Sequence, residues 1–172
     1  WQSVSLYPAG WFTRRIPVSA TVTWPNGWKA ATAMRPASAN GKTVRYQTVD
    51  YETLIDSPVF AGRHFAAVDL GRNVTLNLVA DDAKYLTATQ GQIDVHRRLV
   101  DQAAKLFGMV PFDRYDFLMA LTDQLGGIGR EHHRSSENSA NPEYFTDWAS
   151  GPGRRNLLAH EFSHSWIGKY RR

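Results

Sequence analysis

The chain has 172 residues, 42% hydrophobic and 21% charged, the usage of an ordinary folded globular protein and not of a disordered or fibrous one. That length suits one compact domain or two small ones with a real core. Lys and Arg number 20 against 16 Asp and Glu, a formal charge of +4, and the excess gathers at Arg154, Arg155, Lys169, Arg171 and Arg172, too local to argue for a nucleic-acid partner.

There is no cysteine. Disulfides, thiolate zinc sites and cysteine nucleophiles are thereby excluded, and any metal has to be held by histidine and carboxylate. No apolar run approaches the ~20 residues that span a bilayer, and no secretory leader pattern opens the chain. The first residue is Trp1. The chain therefore reads as a processed or trimmed piece of something longer, as a periplasmic or otherwise extracytoplasmic protein that has lost its signal peptide would be.

In residues 16–24 apolar and polar side chains alternate with the period of a half-buried strand, and Pro25-Asn26-Gly27 then reads as a turn. Residues 28–34 and 43–51 are further strand candidates, separated by a Pro/Ser/Asn/Gly stretch over 36–41. The first sixty residues are expected to be β-structure with tight turns, and the architecture changes after Asp56-Ser57-Pro58 and Ala61-Gly62, with the boundary placed near Gly62. Residues 74–79 alternate as another strand. From about Gln92 the period changes: Ile93, His96, Val100, Ala103 and Phe107 form the stripe of an amphipathic helix that stops before Gly108 and Pro111. His96 lies on or beside that stripe, the position of a core or rim histidine and not of a ligand. Residues 115–122 read as a buried strand leading into Leu125-Gly126-Gly127-Ile128-Gly129, and a polar loop with Glu131, His132 and His133 follows. There is no internal repeat.

The last segment contains His160-Glu161-Phe162-Ser163-His164, the pattern H-E-x-x-H. On a helix, residues four apart stand one turn apart on one face, so both imidazoles can address one metal ion while Glu161 reaches an activated water without ligating. Nothing between residues 156 and 166 is Gly or Pro, and Leu157, Leu158, Ala159, Phe162 and Trp166 suit a buried helix. Six histidines and five glutamates placed at random in this chain give about 0.006 expected occurrences of the pattern. The plainer alternative is a pair of core histidines beside a surface carboxylate. Zinc suits an imidazole and carboxylate site without sulfur. Zinc hydrolases generally need a third protein ligand, and only eight residues follow His164. Upstream, Glu131, Glu137, Glu143, His132 and His133 are the available groups.

The stretch from His160 to Trp166, continued by Gly168-Lys169-Tyr170-Arg171-Arg172, resembles the zinc signature of the glycyl aminopeptidase family of gluzincin metallopeptidases. Two other blocks fit the same family: Glu52-Thr53-Leu54-Ile55-Asp56-Ser57-Pro58-Val59, and Gly126-Gly127-Ile128-Gly129 with Glu131-His132. The resemblance implies an α+β chain in which residues 1–62 are the later part of an N-terminal β-sandwich. Residues 63–172 would be the upstream lobe of a thermolysin-like catalytic domain, ending after the metal helix. It implies zinc held by His160 and His164, with a Glu about twenty residues past His164, beyond this chain, as third ligand, and a transition-state-stabilising Tyr or His further on. Complete members carry a PDZ-like module as well. Two departures stand out: Ile167 occupies the place of an expected Asn, and Arg130 that of an apolar residue.

By that likeness the parent is a zinc aminopeptidase, with Glu161 as general base, that releases small N-terminal residues such as Gly or Ala from peptides with a free N-terminus. This fragment, lacking the third ligand, is expected to be inactive alone. Gly126, Gly127 and Gly129 would let a backbone edge lie close to an extended peptide. Glu131, by resemblance to the glycine-then-glutamate motif of related zinc aminopeptidases, is the candidate for the substrate ammonium. As a solvated loop acid neutralised by Arg130 and Arg134 it would have no such role. His132 and His133, adjacent in a loop, are expected to point apart. Trp1, Trp11, Trp24 and Trp28 suit strand-core packing better than a carbohydrate platform. The rival functional class is a non-catalytic peptide- or protein-binding module that retains a vestigial metal helix.

Overall fold

A computed structural model of the protein describes residues 5–170. Trp1, Arg171, Arg172 and the Arg154 side chain lie outside the described part.

The N-terminal third is antiparallel β-structure in short strands, as its alternation and turn residues predict. β1 (Pro17–Val18) is followed by β2 (Thr21–Thr23), β3 (Lys29–Thr32), β4 (Pro36–Asn40), β5 (Thr43–Tyr46) and β6 (Val49–Asp50), and β7 spans Val59–Gly62. β1 pairs with β6, β5 lies between β2 and β4, and β3 pairs with β7. The turn before β3 closes with the Trp28 N–H donating to the Pro25 carbonyl at 3.2 Å, Gly27 standing at φ +76°. Two segments differ from expectation. Residues 36–40 are a strand and not a connection; all five are exposed, so no alternation of apolar and polar side chains is required there and the strand is defined by its pairing with β5. The predicted strand over 43–51 breaks because the Asp50 side chain caps a helix, accepting from the Thr53 N–H at 2.9 Å and the Thr53 hydroxyl at 2.8 Å, so α1 runs over Tyr51–Ile55. Trp11 and Trp28 are 63% and 42% exposed, against the expected core packing, because both fall outside the strands.

The rest of the chain is built on one mixed sheet of β8 (His64–Asp69), β9 (Val74–Ala80), β10 (Tyr115–Leu121), β11 (Gly129–Glu131) and β12 (Ser135–Ala140). Its order is β11-β12-β10-β9-β8. β10 runs parallel to both neighbours, while β8 and β11 close the edges antiparallel. A parallel β9–β10 pair needs a crossover, and α2 (Gln90–Phe107) supplies it. Its start is a capping box between Thr89 and Gln92 and its end is Gly108 at φ +74°, close to the predicted limits. His96 on α2 is 4% exposed, its Nδ1 bonded to the Gln92 carbonyl at 2.7 Å and its Nε2 to the Tyr144 hydroxyl at 2.9 Å. Burial lowers its pKa. It is the core histidine that the stripe predicts.

β10 is buried on both faces, which is why its sequence is continuously apolar. One face carries Tyr115, Phe117, Met119 and Leu121 beside Val74, Leu76 and Leu78 of β9, and packs on Val100 and Ala103 of α2 and on Leu158, Phe162 and Trp166 of the C-terminal segment. The sheet also meets β3 and β7 through β10 and β9. Phe162 stands among aromatic rings, with centroids 4.9 Å from Tyr115, 5.1 Å from Phe117 and 5.0 Å from Trp166. The architecture is a mixed, sheet-rich α+β one. Among the described residues, no helix is long and apolar enough to cross a membrane.

Phe162→Ala is expected to cost about 3–5 kcal/mol of stability, the range for emptying a buried aromatic site, with Phe162→Leu costing clearly less. Urea unfolding of the two variants measures both.

Candidate metal centre

α3 (Asn156–Ser163) divides its faces cleanly. Leu158 and Phe162, four apart, are 2% and 1% exposed and bind the helix to the sheet, whereas His160 faces outward. His164 follows the last helical residue with φ −62° and ψ −21°, so it continues the same spiral and its ring comes above that of His160. The two Nε2 atoms are 3.4 Å apart. Two nitrogens that each stand ~2.0–2.1 Å from one tetrahedral zinc ion are about 3.4 Å apart, so the pair has the spacing of two ligands to one ion. Neither is a core histidine.

The His164 ring is held from behind. Its Nδ1 lies 3.2 Å from the Ile167 carbonyl. That oxygen can only accept, so the proton sits on Nδ1 and the Nε2 lone pair is left for a metal. The carbonyl turns inward because the chain leaves the helical conformation at Ile167 (φ −118°, ψ 100°) and Gly168 (φ +115°), the Lys169 N–H returning to the His164 carbonyl at 3.1 Å. The Ile167 side chain itself is 61% exposed, and the contact that orients His164 comes from the backbone. Trp166 anchors the turn, its indole N–H bonded to the Met109 carbonyl and its ring stacked on Phe107 at 4.8 Å.

Glu161 reaches toward β11 and is 4% exposed. A Cβ at Gly129 would fall 2.3 Å from Glu161 Oε1 and 2.7 Å from Leu157 Cδ1, so a side chain there would displace the ends of both groups. The three candidate glycines differ in what they contribute. Gly126 takes φ +65° at the turn into β11. Its carbonyl accepts from the Ser139 hydroxyl, and the oxygen of that hydroxyl accepts from the Ile128 N–H at 2.8 Å. Gly127 has open space where its side chain would be, and nothing in the structure requires glycine there. β11 pairs only with β12, so its other side is an unpaired edge among the described residues.

Glu131 ends that edge strand. It is not in a loop, as the sequence suggests, but at a ladder position opposite Ser136. One carboxylate oxygen each from Glu131 and Glu161 and one nitrogen of His164 lie within 4.8 Å of one another. Burial raises the pKa of Glu161; the two histidines pull it down and the Glu131 charge pushes it further up. Of the upstream groups that were candidates to complete a metal site, Glu131 alone reaches this cluster among the described residues. Glu143 is exposed in a separate turn, and Glu137 is bonded to His132 at 3.2 Å and lies 3.7 Å from Arg130.

His132 and His133 do not point apart. Both rings reach Asp56, Nδ1 of His132 at 3.1 Å from Oδ1 and Nδ1 of His133 at 2.8 Å from Oδ2. The His133 N–H also donates to Oδ2, at 3.0 Å. The convergence is possible because the chain reverses here, the His132 N–H bonding the Ser135 carbonyl at 2.9 Å. Burial would raise the Asp56 carboxyl, but hydrogen bonds from the two histidines outweigh it and hold the group at about 2. Burial likewise opposes a charged His132, and its bonds to Asp56 and Glu137 overcome that and raise its pKa. Asp56 belongs to a block that the family resemblance singles out, yet the sequence assigns it no role, because no local signal pairs it with residues 76 and 77 positions away.

Residues 1–63 match the Peptidase M61 N-terminal domain. The fold is similar to that of the aminopeptidase N family protein from Idiomarina loihiensis, with a TM-score of 0.71 and 23% identity over 91% of this chain and 28% of that one. It is similar also to yeast leukotriene A4 hydrolase, with a TM-score of 0.59 and 16% identity over 88% of this chain and 22% of that one. The latter has been solved in complex with bestatin as well. The chain thus spans less than a third of the length of either. Among curated protein sequences none matches significantly. The sequence likeness to a peptidase family therefore covers the first 63 residues, and the likeness to the two solved structures is one of fold over most of the chain.

Gly129→Ala is expected to destabilise the protein by about 1–3 kcal/mol through overpacking, since the atoms met are a helix side chain and the buried carboxylate itself; thermal unfolding against wild type tests this. A second expectation concerns pH. Asp56 is depressed from its ordinary 3.8 to about 2, so its contribution is complete above 3.8 and is lost as pH falls toward 2. His132 is raised above 6.5, so its contribution is complete below 6.5 and is lost as pH rises through its folded value. The stability that wild type holds over Asp56→Asn should therefore be greatest between about pH 4 and 6.5 and shrink on both sides, read from urea midpoints across pH.

Proposed function

We propose that the chain is the part of a zinc metallo-aminopeptidase that carries two metal ligands, the general base and the edge on which the substrate lies. The observation that carries this reading is the pair of His160 and His164 nitrogens at 3.4 Å, with Glu161 buried under Gly129 and one oxygen each of Glu161 and Glu131 within 4.8 Å of a His164 nitrogen. In this reading residues 1–62 close a β-sandwich and residues 63–172 are the upstream lobe of a thermolysin-like domain. The third zinc ligand is a Glu beyond residue 172.

His160 and His164 would hold the zinc through Nε2. Bound there, zinc supplies Lewis acidity toward the scissile carbonyl and acidifies water. Glu161 takes a proton from the attacking water and hands it to the leaving amine. A carboxylate withdrawn from solvent, with its pKa raised, suits both halves of that role better than an exposed one. The peptide extends along the unpaired side of β11, where Gly129 offers backbone without a side chain. Glu131, at the end of that strand, receives the free N-terminal ammonium and so limits cleavage to the first residue. A preference for Gly or Ala at that residue follows from the family likeness. The Peptidase M61 match and the aminopeptidase fold support a peptidase over a vestigial metal helix.

In a longer chain that restores the downstream Glu, hydrolysis of aminoacyl p-nitroanilides is expected, with Glu161→Gln lowering kcat by at least about a thousandfold while zinc content is retained. The 172-residue chain alone should bind zinc weakly and turn over poorly or not at all. Robust activity in it would mean that an upstream group completes the site, and a longer chain inert toward every free-amine peptide would favour the binding-module reading.

A further inference from the structure

The chemistry assigned to the metal helix leaves two sequence blocks unused, residues 52–59 and the histidine pair after Glu131. They meet at one carboxylate. Asp56, which follows α1, accepts from the His132 ring at 3.1 Å, from the His133 ring at 2.8 Å and from the His133 N–H at 3.0 Å. The other nitrogen of His132 lies 3.2 Å from Glu137, which stands opposite Arg130 in the β11–β12 register. His132 is 2% exposed, so no solvent is at hand to replace either bond. A chain of side chains thus runs from the end of α1, through His132, to β12, and it crosses the backbone immediately after Glu131.

We infer that Asp56 is a positioning residue for Glu131: by tying down the next two residues it fixes the end of β11 and, with it, the direction in which the Glu131 carboxylate faces an incoming peptide ammonium. The inference rests on the assignment of Glu131 to the ammonium made above. β11 has only three ladder positions and Glu131 is the last of them. Strand ends are where ladders open most readily, and a carboxylate that must meet a single ammonium loses its value when it wanders. The front of the strand is held by Ser139, through the Ile128 N–H at 2.8 Å and the Gly126 carbonyl. The far end turns back through one backbone bond, His132 N–H to Ser135 carbonyl at 2.9 Å; beyond it, Glu137 holds one nitrogen of His132, and among the described residues Asp56 is the one group that holds both His132 and His133.

The test uses the whole zinc-loaded protein and alanine p-nitroanilide. Asp56→Ala is expected to raise KM about tenfold or more, with kcat changed less than about threefold and zinc content unaltered. Asp56→Asn, which keeps the volume and one acceptor oxygen, should fall between it and wild type. Glu131→Gln gives the reference, and the double variant Asp56→Ala/Glu131→Gln should be no worse than Glu131→Gln alone, because Asp56 acts through Glu131. Additive losses, or an unchanged KM in Asp56→Ala, overturn the positioning role. An unchanged KM in Glu131→Gln overturns the ammonium assignment instead. If Asp56→Ala does not fold, His132→Phe, which fills the same buried space without ring N–H groups, carries the same expectation. Hydrogen exchange gives a readout independent of turnover: the His133 amide should exchange about tenfold faster or more in Asp56→Ala while β10 amides stay protected, and equal protection of His133 counts against the inference.

Discussion

β11 and α3 meet where a missing methyl group leaves room for a buried carboxylate. With Glu161 Oε1 standing 2.3 Å from where a Gly129 Cβ would be, strand and helix touch through backbone on one side and a carboxylate on the other. Close approach withdraws Glu161 from water, and withdrawal from water raises its pKa. It also brings Glu131, two residues along the strand and on the same side by the alternation of a β-strand, into the cluster with Glu161 and His164. The placing of both carboxylates of the candidate site goes with that contact, and hydrogen bonds from Ser139 and around His132 hold the two ends of β11.

The helix meets this demand because its apolar side is rigidly seated. Phe162 lies between Phe117, Tyr115 and Trp166, and the Trp166 indole is bonded in turn to the Met109 carbonyl. A helix fixed on one side by interlocking rings can hold two imidazoles in register on the other with little loss of side-chain freedom still to come when a metal binds. The Ile167 carbonyl completes the arrangement by fixing which nitrogen of His164 is free. This also explains why an isoleucine is tolerated where the family resemblance leads one to expect an asparagine: the backbone performs the contact, and the side chain lies in solvent.

Elements with strong periodicity are legible from the residues alone. The α2 stripe, its Gly108 stop, the apolar run of β10 and the histidine spacing on α3 each follow from side-chain pattern. What pattern cannot carry is long-range pairing. β12 reads Ser-Ser-Glu-Asn-Ser-Ala and gives no hydrophobic signal, yet Ser135, Ser136 and Asn138 are fully buried because β12 is an interior strand of the sheet. The Asn138 side-chain nitrogen donates to the Leu118 carbonyl at 3.1 Å and the Ser136 carbonyl at 3.0 Å. Glu131 reads as a loop residue for the same reason: an edge strand of three residues is defined by its partner, and the partner leaves no mark in the local sequence. The two metal-helix histidines and the buried glutamate are legible because their chemistry is written within five consecutive residues. Asp56 is not, since its meaning depends on a fold that brings residues 76 positions apart together.

An unpaired sheet edge is a template for a neighbour's strand, and sheets that leave such edges bare are prone to grow into fibres. β11 limits that hazard by brevity. A visitor finds three rungs, the middle one bearing an arginine, before the chain bends away through a left-handed glycine at one end and a histidine turn at the other. Such a ledge offers three residues for pairing, too few to start an aggregate.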